Sequence, residues 1–152
     1  MRRRLTDAET ALAETVFGAA IDYDRVTLVR RKWVFFQPRG VVMAPCGHIH
    51  FHPLGDQWHD DFGAAPLDAQ GLFIHEMVHV WQHQQGLCLP LIRHPFCRYD
   101  YAIKPGQPFR RYGVEQQAEI VRHAFLLREG RVVAGAPGLA QYATLVPFTP
   151  GA

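Results

Sequence analysis

Lysine is almost absent from this chain: of its 16 lysine and arginine residues only Lys32 and Lys104 are lysine. That bias reads as genomic base composition and not as a binding signal. Cysteine is equally sparse, with Cys46, Cys88 and Cys97 forming no C-x-x-C pair. An odd number so spaced argues against a disulfide framework and fits a reducing compartment. No apolar run approaches the roughly 18 residues of a membrane span. The formal net charge of +2 is too weak to point to nucleic acid or a membrane as partner. Met1-Arg2-Arg3-Arg4 has the charged start of a signal peptide, yet Asp7 and Glu9 fall where its apolar core should follow. The sequence therefore reads as cytoplasmic at synthesis.

What is present is ordinary globular material, 48% apolar and 20% charged over 152 residues. That is enough for one domain, residues 1–152, with a core that needs no covalent staples. Thr6 followed by Glu9 has the form of a capping box, and it predicts a helix from Asp7 to Gly18. Val26–Val29 and Trp33–Phe36 are β-rich, and residues 41–51 read as a further strand with a turn near Pro45-Cys46-Gly47. Residues 53–66 carry loop composition. Helices are expected over residues 67–85, ended by Gly86, and over 114–129, ended by Gly130. Residues 87–108 read as an ordered irregular segment, and the Pro- and Gly-rich tail as extended chain.

The chemistry sits in His75-Glu76-Met77-Val78-His79, an H-E-x-x-H pattern inside the apolar run that starts at Leu72. At about 3.6 residues per turn the two histidines stack on one helix face and can grip one metal ion. Glu76 is then close enough to act on a water beside that ion. A catalytic zinc site needs a third protein ligand and an open position. Glu115 and Glu119, one turn apart on the second long helix, offer a ligand and an acceptor for a histidine N–H. Spacing alone leaves open which glutamate does which. The chain has only six glutamates, and three are Glu76, Glu115 and Glu119.

His75-Glu76-Met77-Val78-His79-Val80-Trp81-Gln82, with Glu115-Gln116-Gln117-Ala118-Glu119 downstream, resembles the gluzincin branch of the zinc metallopeptidases. Within that branch it is similar to small bacterial Vgr-related, secretion-associated zincin-like metallopeptidases, which carry H-E-x-x-H-x-x-Q and a later E-x-x-A-[DE]. The resemblance implies an α+β, zincin-like fold, with a small β-sheet packed on the H-E-x-x-H helix. It implies one Zn²⁺ held by His75, His79 and Glu115, with Glu119 supporting a ligand histidine and Glu76 as general base. It also implies that residues 41–52 line a cleft for a peptide or protein substrate, and that a signal-peptide-independent secretion system exports the protein. The metzincin branch is disfavoured, because Gln82 and Gln85 stand where its glycine and third histidine belong. A catalytically inactive zinc-binding module, serving as a secretion-system component, is the alternative reading.

Other residues invite roles that the pattern does not single out. Tyr99, Tyr101, Tyr112 and His123 are candidates to stabilise an oxyanion. His83 lies one turn beyond His79 and is expected at the rim. His48, His50 and His52 alternate as on one strand face, most simply as exposed histidines. Arg110-Arg111 reads as a solvated pair, and Phe73, Val80 and Trp81 as core. Cys88, His94 and Cys97 could form a second metal cluster, although buried, apolar-like cysteines fit better.

Overall fold

The computed structural model describes residues 1–92 and 98–150, with the side chains of residues 91 and 92 left aside. The expected capping box is present: Glu9 N donates to Thr6 Oγ1, Thr6 N donates to Glu9, and helix α1 runs Asp7–Phe17. Before it, Arg2–Arg4 forms strand β1, antiparallel to β2 (Thr27–Val29) with Arg3 opposite Leu28. The arginine run that looked like a leader start is thus an edge strand, a place where charged side chains are tolerated. Strand β3 (Ile49–His50) joins β2 in parallel, pairing Leu28 with Ile49. Met43 bridges antiparallel to His50, so only part of the expected 41–51 strand is laddered. Residues 42–44 flank β3 as the outer edge.

Trp33–Phe36 is not a strand. Gln37 N donates to Val34 O and Trp33 N donates to Gln37 Oε1, closing a turn. Aromatic β-propensity reflects packing against a neighbouring strand, and among the described residues this segment pairs with none.

Helix α2 (Leu67–Gln84) crosses beneath the sheet and carries the motif. Its rear face buries Phe73, Val80 and Trp81 as expected, together with Ile74, Met77 and Val78. Phe51, Phe62 and Phe73 stack in a column with centroid spacings of 5.5 Å. Gly86, at φ 92°, ends the helix where a left-handed residue is needed. A short helix α3 (Leu89–Ile92) follows, within what the sequence presented as irregular chain. Helix α4 (Val114–Arg128) then lies antiparallel along α2: His79 faces Glu115, His75 faces Glu119, and Gly71 faces Leu126. The tail is not fully extended. Leu139–Leu145 forms helix α5, which buries Tyr142 between flanking prolines and glycines that masked it in the sequence.

Cys46 and Cys88 are exposed, which corrects the expectation of a buried Cys88; the remainder of the suggested second cluster, His94 and Cys97, lies outside the described residues.

Candidate metal centre

Three buried side chains converge where α2 and α4 run side by side. His75, His79 and Glu115 are 5%, 6% and 2% exposed, a burial that titratable groups tolerate only when paired or bound to a cation. Among the described residues they offer ligand atoms that all lie within 4.8 Å of one another. Glu115 Oε1 is 2.8 Å from His79 Nε2, and its Oε2 is 3.5 Å from His75 Nε2. Both histidines therefore turn the same nitrogen toward one carboxylate.

The opposite nitrogens are held by a polarised network. Gln117 Nε2 donates to the Tyr112 carbonyl, so its Oε1 is the acceptor for Gln82 Nε2 at 2.9 Å. Gln82 Nε2 also donates to the Val114 carbonyl, which leaves Gln82 Oε1 to accept from His79 Nδ1 at 2.8 Å. Backbone carbonyls at the far end thus fix both amide orientations and place the His79 proton on Nδ1. On the other side His75 Nδ1 donates to Glu119 Oε2 at 3.3 Å. Each Nε2 is thereby turned toward the shared point, where loss of its proton leaves the lone pair a metal needs. The residues present fit a tetrahedral or five-coordinate divalent ion bound through nitrogen and oxygen.

The electrostatics agree. Burial alone would lower the His75 imidazole, but the Glu115 and Glu119 carboxylates outweigh it and push it up to about 9. Burial would raise Glu115, yet hydrogen bonds from the two histidines hold it well below the usual carboxylate range. Glu119 is held low by His75 in the same way, against the opposing effect of burial. Protons and a cation compete for one set of atoms here.

The centre forms the floor of a cleft of about 330 Å³. Glu76 lines it beside the two histidines and is 4% exposed. One wall is residues 40–45, from the outer edge beside β3; the 46–52 part of the expected wall does not reach it. Trp33 and Tyr99 stand at other parts of the lining, and Arg122 reaches in beside Glu119 with Nη1 3.7 Å from Oε2. Arg122 and Leu126 pack over Gly71 of α2: a Cβ there would lie 3.2 Å from Leu126 Cδ2, a tight contact, and 3.5 Å from Arg122 Nε, an ordinary one.

The four oxyanion candidates separate cleanly. Tyr99 lines the cleft, its ring nearly parallel to that of His75 at 6.1 Å. Tyr101 is engaged elsewhere, its hydroxyl 2.7 Å from His123 Nδ1 and 2.6 Å from the Tyr142 hydroxyl. Tyr112 is buried and its hydroxyl accepts from Lys104 N. His83 is exposed and packs on Gly47, away from the cleft. The alternating histidines do not act together. His48 Nδ1 meets Thr27 Oγ1 at 2.8 Å, His50 sits in β3, and His52 Nδ1 accepts from Leu54 N. All three are half-buried, not exposed as the alternation indicated, and burial lowers each imidazole. Arg110 and Arg111 are exposed. Sequence reasoning gave no role to Gln82, Gln117 or Arg122. Gln82, one turn after His79 on the ligand face, was the available signal for the first.

Fold and site together define a mixed α+β domain that gathers two histidines and a glutamate between paired helices under a small sheet. The structure of the effector domain of Pseudomonas aeruginosa VgrG2b matches this one with a TM-score of 0.77 at 39% identity, covering 93% of this chain and 80% of that one. The type VI secretion system spike protein VgrG2b of the same organism is 42% identical over 134 residues, which is 82% of this chain. The chain spans 13% of that spike protein's length. No protein-family model matches the chain. By its coverage of the solved effector domain, the chain belongs to the VgrG2b effector-domain family, bacterial and secretion-associated.

Proposed function

We propose that this chain is a single-domain, zincin-like zinc metallopeptidase delivered as a type VI secretion effector. The observation that carries the reading is the convergence of buried His75, His79 and Glu115 on one point, with Glu76 beside them in an open cleft. A structural site would use a fourth protein ligand and need no neighbouring base. Two histidines and a carboxylate suit zinc, and cobalt or manganese can occupy such a set in vitro.

Bound zinc would supply Lewis acidity at the scissile carbonyl and acidify the attacking water. The chain's own residues do the rest. Glu76 takes the proton of that water and returns it to the leaving amide nitrogen. Residues 40–45 would hold the peptide along the outer edge, and Tyr99, which lines the cleft with its ring nearly parallel to that of His75, is our candidate to donate to the developing oxyanion. Glu119 and Gln82 keep the two imidazoles turned. Kinship with a secretion spike supports export of this domain without a signal peptide after synthesis in the cytoplasm.

Mass spectrometry of untagged protein should find about one zinc per chain, lost in His79→Ala. Glu76→Gln should keep the metal and lose peptide hydrolysis by on the order of 10²-fold or more. Metal without turnover in the unaltered protein, across a broad peptide library, would favour a binding module. No metal taken up at all would sink both.

A further inference from the structure

The turn that replaces the expected second strand presents an unusual surface. Phe35 is 86% exposed, Phe36 65% and Trp33 38%, and Leu54 on the adjoining loop is 67% exposed. These side chains are held outward by construction. Gln37 is buried and its amide spans the turn, accepting from Trp33 N and donating to the carbonyls of Val41 and His50. Lys32 Nζ donates to the Phe35 carbonyl, and the two phenyl rings meet edge-on at 5.1 Å. The Leu54 loop is drawn alongside, since a Cβ on Gly55 would lie 2.5 Å from the Arg39 carbonyl oxygen.

Flanking the aromatic residues in sequence are Arg30, Arg31 and Arg39, all exposed, and the half-buried Lys32; the Arg30 guanidinium lies 6.0 Å over the Trp58 ring. Residues 25–55 contain no aspartate or glutamate; Asp24 before them and Asp56, on the Leu54 loop, bound that stretch. The weak net charge of the whole chain therefore conceals a local concentration of cations around exposed apolar rings. Water offers such rings nothing, and an unsupported turn would fold them inward. A bilayer interface offers both halves of what is needed: an apolar boundary for phenyl and indole rings and anionic headgroups for the arginines.

We propose that the 30–39 turn, with Leu54, is a docking tip for an anionic lipid surface. Trp33 lines the metal cleft as well as belonging to the tip, so docking sets the cleft mouth beside the membrane. The proposal does not depend on catalysis. It places the domain at a surface where its substrates would be membrane-anchored or membrane-proximal chains.

The test is co-sedimentation of metal-loaded protein with phosphatidylcholine vesicles, with and without phosphatidylglycerol. Binding should need the anionic lipid and weaken with added salt. Phe35→Ser with Phe36→Ser should reduce it by about tenfold or more. Arg31→Gln with Arg39→Gln should reduce it by roughly tenfold at low salt. All four side chains are exposed, so unchanged circular dichroism and unchanged metal content identify folded variants. Equal binding to neutral vesicles, or binding that survives loss of both phenylalanines, would overturn the proposal. So would self-association in the absence of lipid that the serine variants abolish, because the patch would then belong to a second copy.

Discussion

Gln82 orients His79 without being able to bind a metal at the same point, because its oxygen already accepts from Nδ1. Gln82→Leu should leave the helix intact and weaken zinc binding by about 10- to 100-fold, the usual cost of losing such a support. Competition with a calibrated chelator reads this directly. His75 gives a second expectation. In metal-stripped protein its pKa lies above the ordinary 6.5, at about 9. A raised value means that the folded chain holds the proton more tightly. The associated stability is complete below pH 6.5 and is lost as pH rises through about 9. Denaturation midpoints in chelator should fall over that window, while zinc affinity should climb across it as the proton is given up. The two histidines were legible in the sequence because helical spacing alone stacks them. The support from Gln82 was not, because its partners Val114 and Gln117 lie on another helix.

Between elements, the most connected side chain is Glu9. It closes the cap of α1 at Thr6 N, accepts from both Arg3 Nη1 and Nη2, and accepts from Phe62 N in the loop before α2. One carboxylate, 0% exposed, so ties β1, α1 and that loop together. Glu9→Ala would strand the Arg3 guanidinium and should cost about 3–5 kcal/mol in urea unfolding. The capping box showed in the sequence because both partners are local; the ties to Arg3 and Phe62 did not. The same division holds for whole elements. Helices α2 and α4 declare themselves by long apolar periodicity and terminal glycines. Trp33–Phe36 misleads because its composition is strand-like and its surroundings are not. Helix α5 hides between proline and glycine, and becomes visible only when Tyr142 finds the Tyr101 hydroxyl.

Across the molecule, the helices that carry the candidate ligands are held by apolar packing of their own. Ile74, Met77 and Val78 of α2 and Ile120, Val121 and Phe125 of α4 belong to one apolar cluster with Phe17, Phe51 and Phe62, so both helices are anchored by packing as well as by the ligand cluster. Removal of the ion should therefore leave far-UV circular dichroism nearly unchanged and lower only the melting temperature, by an amount that grows with zinc affinity. Collapse of helical signal on chelation would instead mark a structural zinc.

Gly71 touches no ligand, yet Leu126 and Arg122 of α4 pack against it so closely that an added Cβ would lie 3.2 Å from Leu126 Cδ2, leaving no room there for a large side chain. The packing of the two ligand-bearing helices thus depends partly on a residue that offers no ligand. A related chain with a bulky residue at that point would still spell H-E-x-x-H and both glutamates. Its helices would stand apart, and the motif would survive as letters after the chemistry had gone.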